Sequence, residues 1–290
     1  MRYKPRAIVL LAFVLVTGTV AAGVLLAQQR GGWGRGRGYN GDPVDRNGVP
    51  EWEVDPNFKH DLFTFVRVRY SSSYDGYGYG GRRRGGDWAT DYPDSDLNFS
   101  FRLQQLTSLK VDPQPKIIEL TDDALFDYPF IYMIEPGNLV FSDAEVTALR
   151  RYLLNGGFMM VDDFWGEYEY QNFYDQIKRV FPEREPAELP IEHPIFHCVY
   201  DLKEKPQVPS IGMAYRGRSS GITWERSDAR EVHFKAISDD KNRVMVIICH
   251  NTDLGDGWER EGEDEWYFRE FSEKKAYPMG INIVFYAMTH

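Results

Sequence analysis

Cysteine is nearly absent from this 290-residue chain: there are two, Cys198 and Cys249, and no C-x-x-C pair. A cysteine-built metal site is thereby excluded, and any disulfide framework shrinks to one bridge. In an oxidising compartment the two could pair. The other reading is two buried thiols, since Cys249 lies in RVMVIICH, an apolar run that reads as a core strand. Also missing are a G-x-S-x-G or G-x-C-x-G elbow, a Walker A loop, and a G-x-G-x-x-G turn between a first strand and a helix. Nucleophilic acyl transfer and dinucleotide binding are therefore disfavoured. GYGYGGRRRGG, residues 76–86, has the glycines but opens no helix.

Basic charge is the second scarcity. Lys and Arg number 34 against 44 Asp and Glu, and three of the cations, Arg2, Lys4 and Arg6, crowd the first residues. The remaining chain is more acidic still, which excludes nucleic acid as a partner, because such binding rests on neutralising phosphates. Long apolar runs are scarce too. The long uncharged one, Ile8 to Ala27, follows the basic residues, so 1–27 reads as a signal peptide or an uncleaved membrane anchor. Either reading places the rest outside the cytoplasm, periplasmic or extracellular, because the positive charge stays inside.

What is present divides simply. Residues 28–51 are Gly-rich and unpatterned, a flexible tether, and 52–290 form the expected domain. FTFVRVRY (63–70) alternates like a half-wet strand. The Gly, Tyr and Arg insert that follows, centred on 71–90, reads as mobile. SDLNFSFRLQQLTSL (95–109) has helical apolar spacing, with Asp94 or Ser95 as N-cap. KIIEL (116–120) and FIYMIEP (130–136) are short strands. SDAEVTALRRYLLNGG (142–157) is a helix signalled by a Ser142–Glu145 capping box and ended by Gly156. FMMVDD is a strand, QNFYDQIKRVFP (171–182) a helix, EVHFKAI and RVMVIICH paired strands, and AYPMGINIVFYAMTH a closing helix. This alternation predicts a single α/β domain, a mostly parallel sheet with helices on both faces.

In such folds ligands sit beyond the carboxyl ends of the strands. Asp162 and Asp163 stand there, and because neighbouring strand residues point to opposite faces, at most one should meet a crevice. That one would be a general base, a cation ligand or a hydroxyl acceptor; otherwise both are turn-formers. Trp165 and Trp258 are candidate rings for stacking on a sugar. His193 and His197, flanking Pro194, belong to an extended turn, although a divalent metal held by them and an aspartate stays open. Arg218, between glycines, could position an anion or neutralise Asp163 or Glu167. Asp253 and Asp256, in DLGDGWE, partly match calcium-loop spacing but lack the full series. No cofactor motif is present.

YPFIYM (128–133), LRRYLLNGGFMMVDD (149–163), HPIFH (193–197), NTDLGDGWE (251–259) and GINIVFYA (280–287) together resemble the bacterial DUF4159 family, from about Phe63 to the C-terminus. The resemblance implies a flavodoxin-like fold similar to class I glutamine amidotransferases and ThuA-like proteins. It also implies an assembly or envelope role. Where amidotransferases carry a cysteine elbow this chain has VDDFWG, so glutaminase chemistry is not implied and no catalytic residue carries over. Two readings follow: a non-catalytic module binding an envelope protein or carbohydrate, or a carbohydrate-active or metal-assisted hydrolase pairing Asp162 or Asp163 with Asp253 or Asp256.

Overall fold

The computed structural model describes residues 45–58, 61–73 and 87–290. The leader, most of the tether and the centre of the Gly, Tyr and Arg insert lie outside the described residues. Among the described residues no helix is long and apolar enough to cross a membrane. Arg46, in the expected tether, touches the domain by donating to the Pro113 carbonyl at 2.6 Å, and Trp52, at the expected domain start, donates its indole N–H to the Val111 carbonyl at 2.8 Å.

Seven strands form one sheet, in the order β3-β1-β4-β6-β9-β8-β7. They are β1 (Val66–Arg69), β3 (Lys116–Glu119), β4 (Phe130–Ile134), β6 (Phe158–Asp162), β7 (Ala187–Glu188), β8 (His233–Ser238) and β9 (Val244–His250). From β3 to β9 every pairing is parallel; β8 and β7 then close that edge antiparallel. β2 (Ser71–Ser72) and β5 (Leu139–Val140) make a separate antiparallel pair.

Every residue of β4, β6 and β9 is buried. Burial on both faces explains why these segments read as unbroken apolar runs rather than alternating ones. Phe158 and Met160 enter one core layer, Met159 and Val161 the other. The first layer is covered by α1 (Asp94–Leu106) through Phe99 and Leu103, and by α6 (Tyr277–Thr289) through Ile281 and Ile283. The second is covered by α2 (Asp143–Leu154) through Leu149 and Leu153, and by α3 (Gly166–Val180) through Phe173 and Ile177. The result is a flavodoxin-like α/β domain with helices on both faces of a mostly parallel sheet.

The local signals behave unevenly. At α2 the Ser142 hydroxyl accepts from the Glu145 amide, and the Glu145 carboxylate accepts from the Ser142 amide, a complete capping box. At α1 neither expected cap serves. The helix opens at Asp94 behind Pro93 with no side-chain cap, because the Ser95 hydroxyl receives Arg67 and the Asp94 carboxylate receives Asn47. Helix α3 begins five residues before its expected start, at Gly166, whose φ of 77° is a left-handed turn that glycine adopts freely. Both cysteines are free: Cys249 is wholly buried in β9, and Cys198 is half-buried on a distant loop.

Candidate functional site

Three adjacent parallel strands end in acid. Glu135 follows β4, Asp163 follows β6, and Asp253 follows β9 within three residues. Glu135 and Asp163 turn the backbone with φ of 47° and 55°. The two short helices behind these ends are α4 (Ile211–Gly217) and α5 (Leu254–Glu259). Between the strand ends lies a crevice of about 370 Å³, lined among others by Asp91, Asp163, Trp165, Asp253, Asp256 and Arg260. Its lining holds seven carboxylates, two arginines and no histidine or cysteine.

The adjacent aspartates divide as strand geometry requires. Asp163 lines the crevice, and Trp165 donates its indole N–H to it at 3.1 Å. Asp162 lies wholly buried beneath, where its Oδ2 accepts from the Gly255 amide at 3.0 Å and the Tyr132 hydroxyl at 3.2 Å. Its Oδ1 is buried without a hydrogen-bond partner among the described residues. Burial above all, with Asp91 nearby, pushes the Asp162 pKa up to about 8.

Asp253 caps α5, accepting from the Asp256 amide at 2.6 Å. DLGDGWE is thus the opening of a helix rather than a calcium loop. Asp256 accepts from the Ile211 amide at 2.6 Å and from Arg260 at 3.0 Å. Asp91 is the member sequence reasoning missed. It stands at the exit of the Gly, Tyr and Arg insert with φ of 60°. Its place is set by Arg67 of β1, a wholly buried guanidinium. Arg67 is paired with Asp96 and donates to Ser95 at 2.9 Å and to the carbonyls of Trp88 and Thr90 at 3.0 and 2.8 Å. All five of its N–H groups are engaged, so the loop carrying Asp91 is pinned on both sides.

Oxygens of Asp91, Asp163 and Asp253 lie within 4.8 Å of one another. No lysine or arginine among the described residues forms an ion pair with any of the three. Crowding has the expected electrostatic cost. Asp91 is pushed up to about 7 by burial and then by Asp256. Asp163 and Asp253 are held well above the usual carboxylate range, first by burial, then by Glu135 and by Asp163 respectively.

Anions are poorly served here. The start of α3, where a flavodoxin-like fold offers backbone N–H groups to an anion, is already filled by the protein's own acceptors. Gly166 donates to Asn251 at 2.9 Å, Glu167 to Asp228 at 3.2 Å and Trp165 to Glu169 at 2.7 Å.

The other expected residues lie elsewhere. Trp258 is wholly buried, 4.5 Å from Phe99 ring to ring, and cannot stack on a ligand. Arg218 sits over the Trp266 ring at 4.2 Å. His193 accepts from the Ile195 amide and packs on Tyr286, while His197 bridges Asp201 and the Ile191 carbonyl, each at 2.7 Å. Neither histidine lines the crevice, and neither belongs to a group of carboxylates spaced for a metal among the described residues. Glu135, Glu225 and Arg260 do line it. Glu135 was within reach of the sequence, since the strand-end rule that selects Asp163 selects it too.

The model of the family described as Domain of unknown function (DUF4159) matches residues 64–288. The chain belongs to the DUF4159 family. The matched span contains all three strand-end acids and Asp91 as well. No curated protein matches the chain.

Proposed function

We propose that this DUF4159 chain is a non-catalytic binding module of the cell envelope, whose crevice takes one hard divalent cation and, through it, the oxygens of a protein or carbohydrate partner. The observation that carries this reading is the convergence of Asp91, Asp163 and Asp253 from three separate loops, with no Lys or Arg among the described residues in an ion pair with them. An all-oxygen donor set suits Ca²⁺, Mg²⁺ or Mn²⁺ and disfavours soft metals. A divalent ion would offset the mutual repulsion that raises these carboxylates, and its open positions would face the crevice. The basic and apolar N-terminal run supports the envelope location.

The test is calorimetric titration of the tether-free domain with each ion, beside an Asp163→Asn/Asp253→Asn variant. Saturable binding by the wild type and its loss in the variant supports the reading; no binding by any of the three ions at millimolar concentration overturns it.

A metal-assisted hydrolase is the second reading, favoured by Asp163 and Asp253 sharing one crevice. Their oxygens are closer than the roughly 6.5 Å that a water-bearing carboxylate pair needs. That spacing rules out an inverting pair but not a retaining one, so the metal-assisted reading is selected by turnover that vanishes on chelation.

A further inference from the structure

The crevice contains a second set of three converging carboxylates. Oxygens of Asp91, Asp256 and Glu259 also lie within 4.8 Å of one another, so Asp91 is the corner that both triads share. Its Oδ2 is buried without a hydrogen-bond partner among the described residues, and wholly buried Asp162 beside it leaves Oδ1 in the same condition. An electropositive group at the shared corner would satisfy the orphaned oxygen of Asp91.

The two triads differ in one respect. The second already has a cation: Arg260, at the end of α5, reaches Asp256 at 3.0 Å and Glu259 at 2.7 Å, with Glu263 at 3.4 Å. Burial works against the charge on Arg260, but those three carboxylates outweigh it and raise its pKa above the usual arginine value. In the first triad, Asp91 feels the charges of Arg67 and Arg260, but among the described residues no Lys or Arg forms an ion pair with Asp91, Asp163 or Asp253. Two-metal sites hold their ions about 3.5–4 Å apart, and these two triads share one carboxylate, Asp91.

We propose that Arg260 is a built-in second cation, which fixes the capacity of the crevice at one divalent ion. This rests on the reading of Asp91, Asp163 and Asp253 as the cation site. The guanidinium is permanently charged and needs no recruitment from solution, so it supplies one positive charge between Asp256 and Glu259 at any metal concentration. Removing its charge while keeping its bulk converts the second triad into a site like the first. Arg260 is partly exposed, its side chain keeping 30% of its surface, so its replacement leaves the apolar core intact.

The experiment measures Mn²⁺ stoichiometry by equilibrium dialysis on the whole chain, with electron paramagnetic resonance on the same samples. Arg260→Gln and Arg260→Lys are run beside wild type, and circular dichroism checks that each is folded. The expected result is one ion for wild type and Arg260→Lys, and two for Arg260→Gln, with a spin-coupled Mn²⁺ pair seen in that variant. Arg260→Gln holding one ion overturns the role of Arg260 while leaving the cation site standing. Wild type holding two ions does the same. Wild type holding none overturns both the cation site and the role given to Arg260.

Discussion

Asp96 and Asp163 are both buried aspartates at the same end of one sheet, and they are treated in opposite ways. Asp96 meets the fork of a wholly buried arginine, and Arg67 in turn has every N–H engaged. Asp163 has one indole N–H and otherwise faces other acids. A buried charge is tolerable only when paired and hydrogen-bonded. The first arrangement is self-contained and makes structure. The second is incomplete on its own, and incompleteness of that kind is what marks a binding site inside a well-packed fold.

The comparison breaks most forcefully at Arg67. Arg67→Met leaves Asp96 buried without its partner and frees the carbonyls of Trp88 and Thr90, so it should cost about 3–5 kcal/mol in urea denaturation. Because the same loop carries Asp91, affinity for the cation should fall as well. The Asp163→Asn/Asp253→Asn variant should do the reverse: weaker binding without lost stability in chelator. Equal destabilisation by both would erase the distinction between the two aspartates.

A pH series sharpens it. Asp162 and Asp91 have folded pKa values raised to about 8 and about 7. The folded protein therefore holds protons that the unfolded chain releases above about pH 4. Their stabilising contribution is complete below that pH and is lost as pH rises through 7 and 8, with a slope of up to about 1.4 kcal/mol per pH unit for each group. In chelator, the midpoint of thermal unfolding should fall from pH 6 to 9, and a saturating divalent ion should flatten the fall.

His250 works in the other direction. Burial lowers its pKa to about 4, so its contribution is complete above about 6.5 and is lost as pH drops toward 4. His250→Phe should therefore remove the acid limb of the profile and leave the alkaline limb unchanged.

The smallest effect is expected at Gly255. A Cβ there would stand 2.8 Å from Asp91 Oδ2 and 3.0 Å from the Tyr132 hydroxyl. Gly255→Ala should cost about 1–3 kcal/mol through overpacking and weaken the cation further by displacing Asp91. Unchanged affinity in a calorimetric titration would mean that Asp91 is not a ligand.

How much of this the sequence revealed depends on the range of the forces involved. Ser142 and Glu145 announce α2 because a capping box closes within four residues. The strand from Phe158 to Asp162 announces itself by length and apolarity, and the strand-end rule then selects Asp162 and Asp163, whereas Asp253 is singled out by the partial calcium-loop spacing of DLGDGWE. Asp91 was hidden because its loop is held by a guanidinium on β1 and by Glu135 after β4, and no local pattern encodes those bonds. Trp258 misled for the matching reason: it is surrounded in sequence by acids, yet the one-turn helix after Asp253 rotates it into the core against Phe99 and Tyr132. The two histidines share a turn in sequence but each closes its own local hydrogen bond, which takes them out of reach of the strand ends.

Asp91, Asp163 and Asp253 come from three distant parts of the chain, and this spacing has a consequence for how the protein matures. No fragment can assemble the triad, so a cation held there would recognise only a molecule whose sheet is already in register from β1 to β9. A ligand with that selectivity acts as a latch: by mass action it withdraws the finished fold from the unfolding equilibrium and gives nothing to partly folded chains.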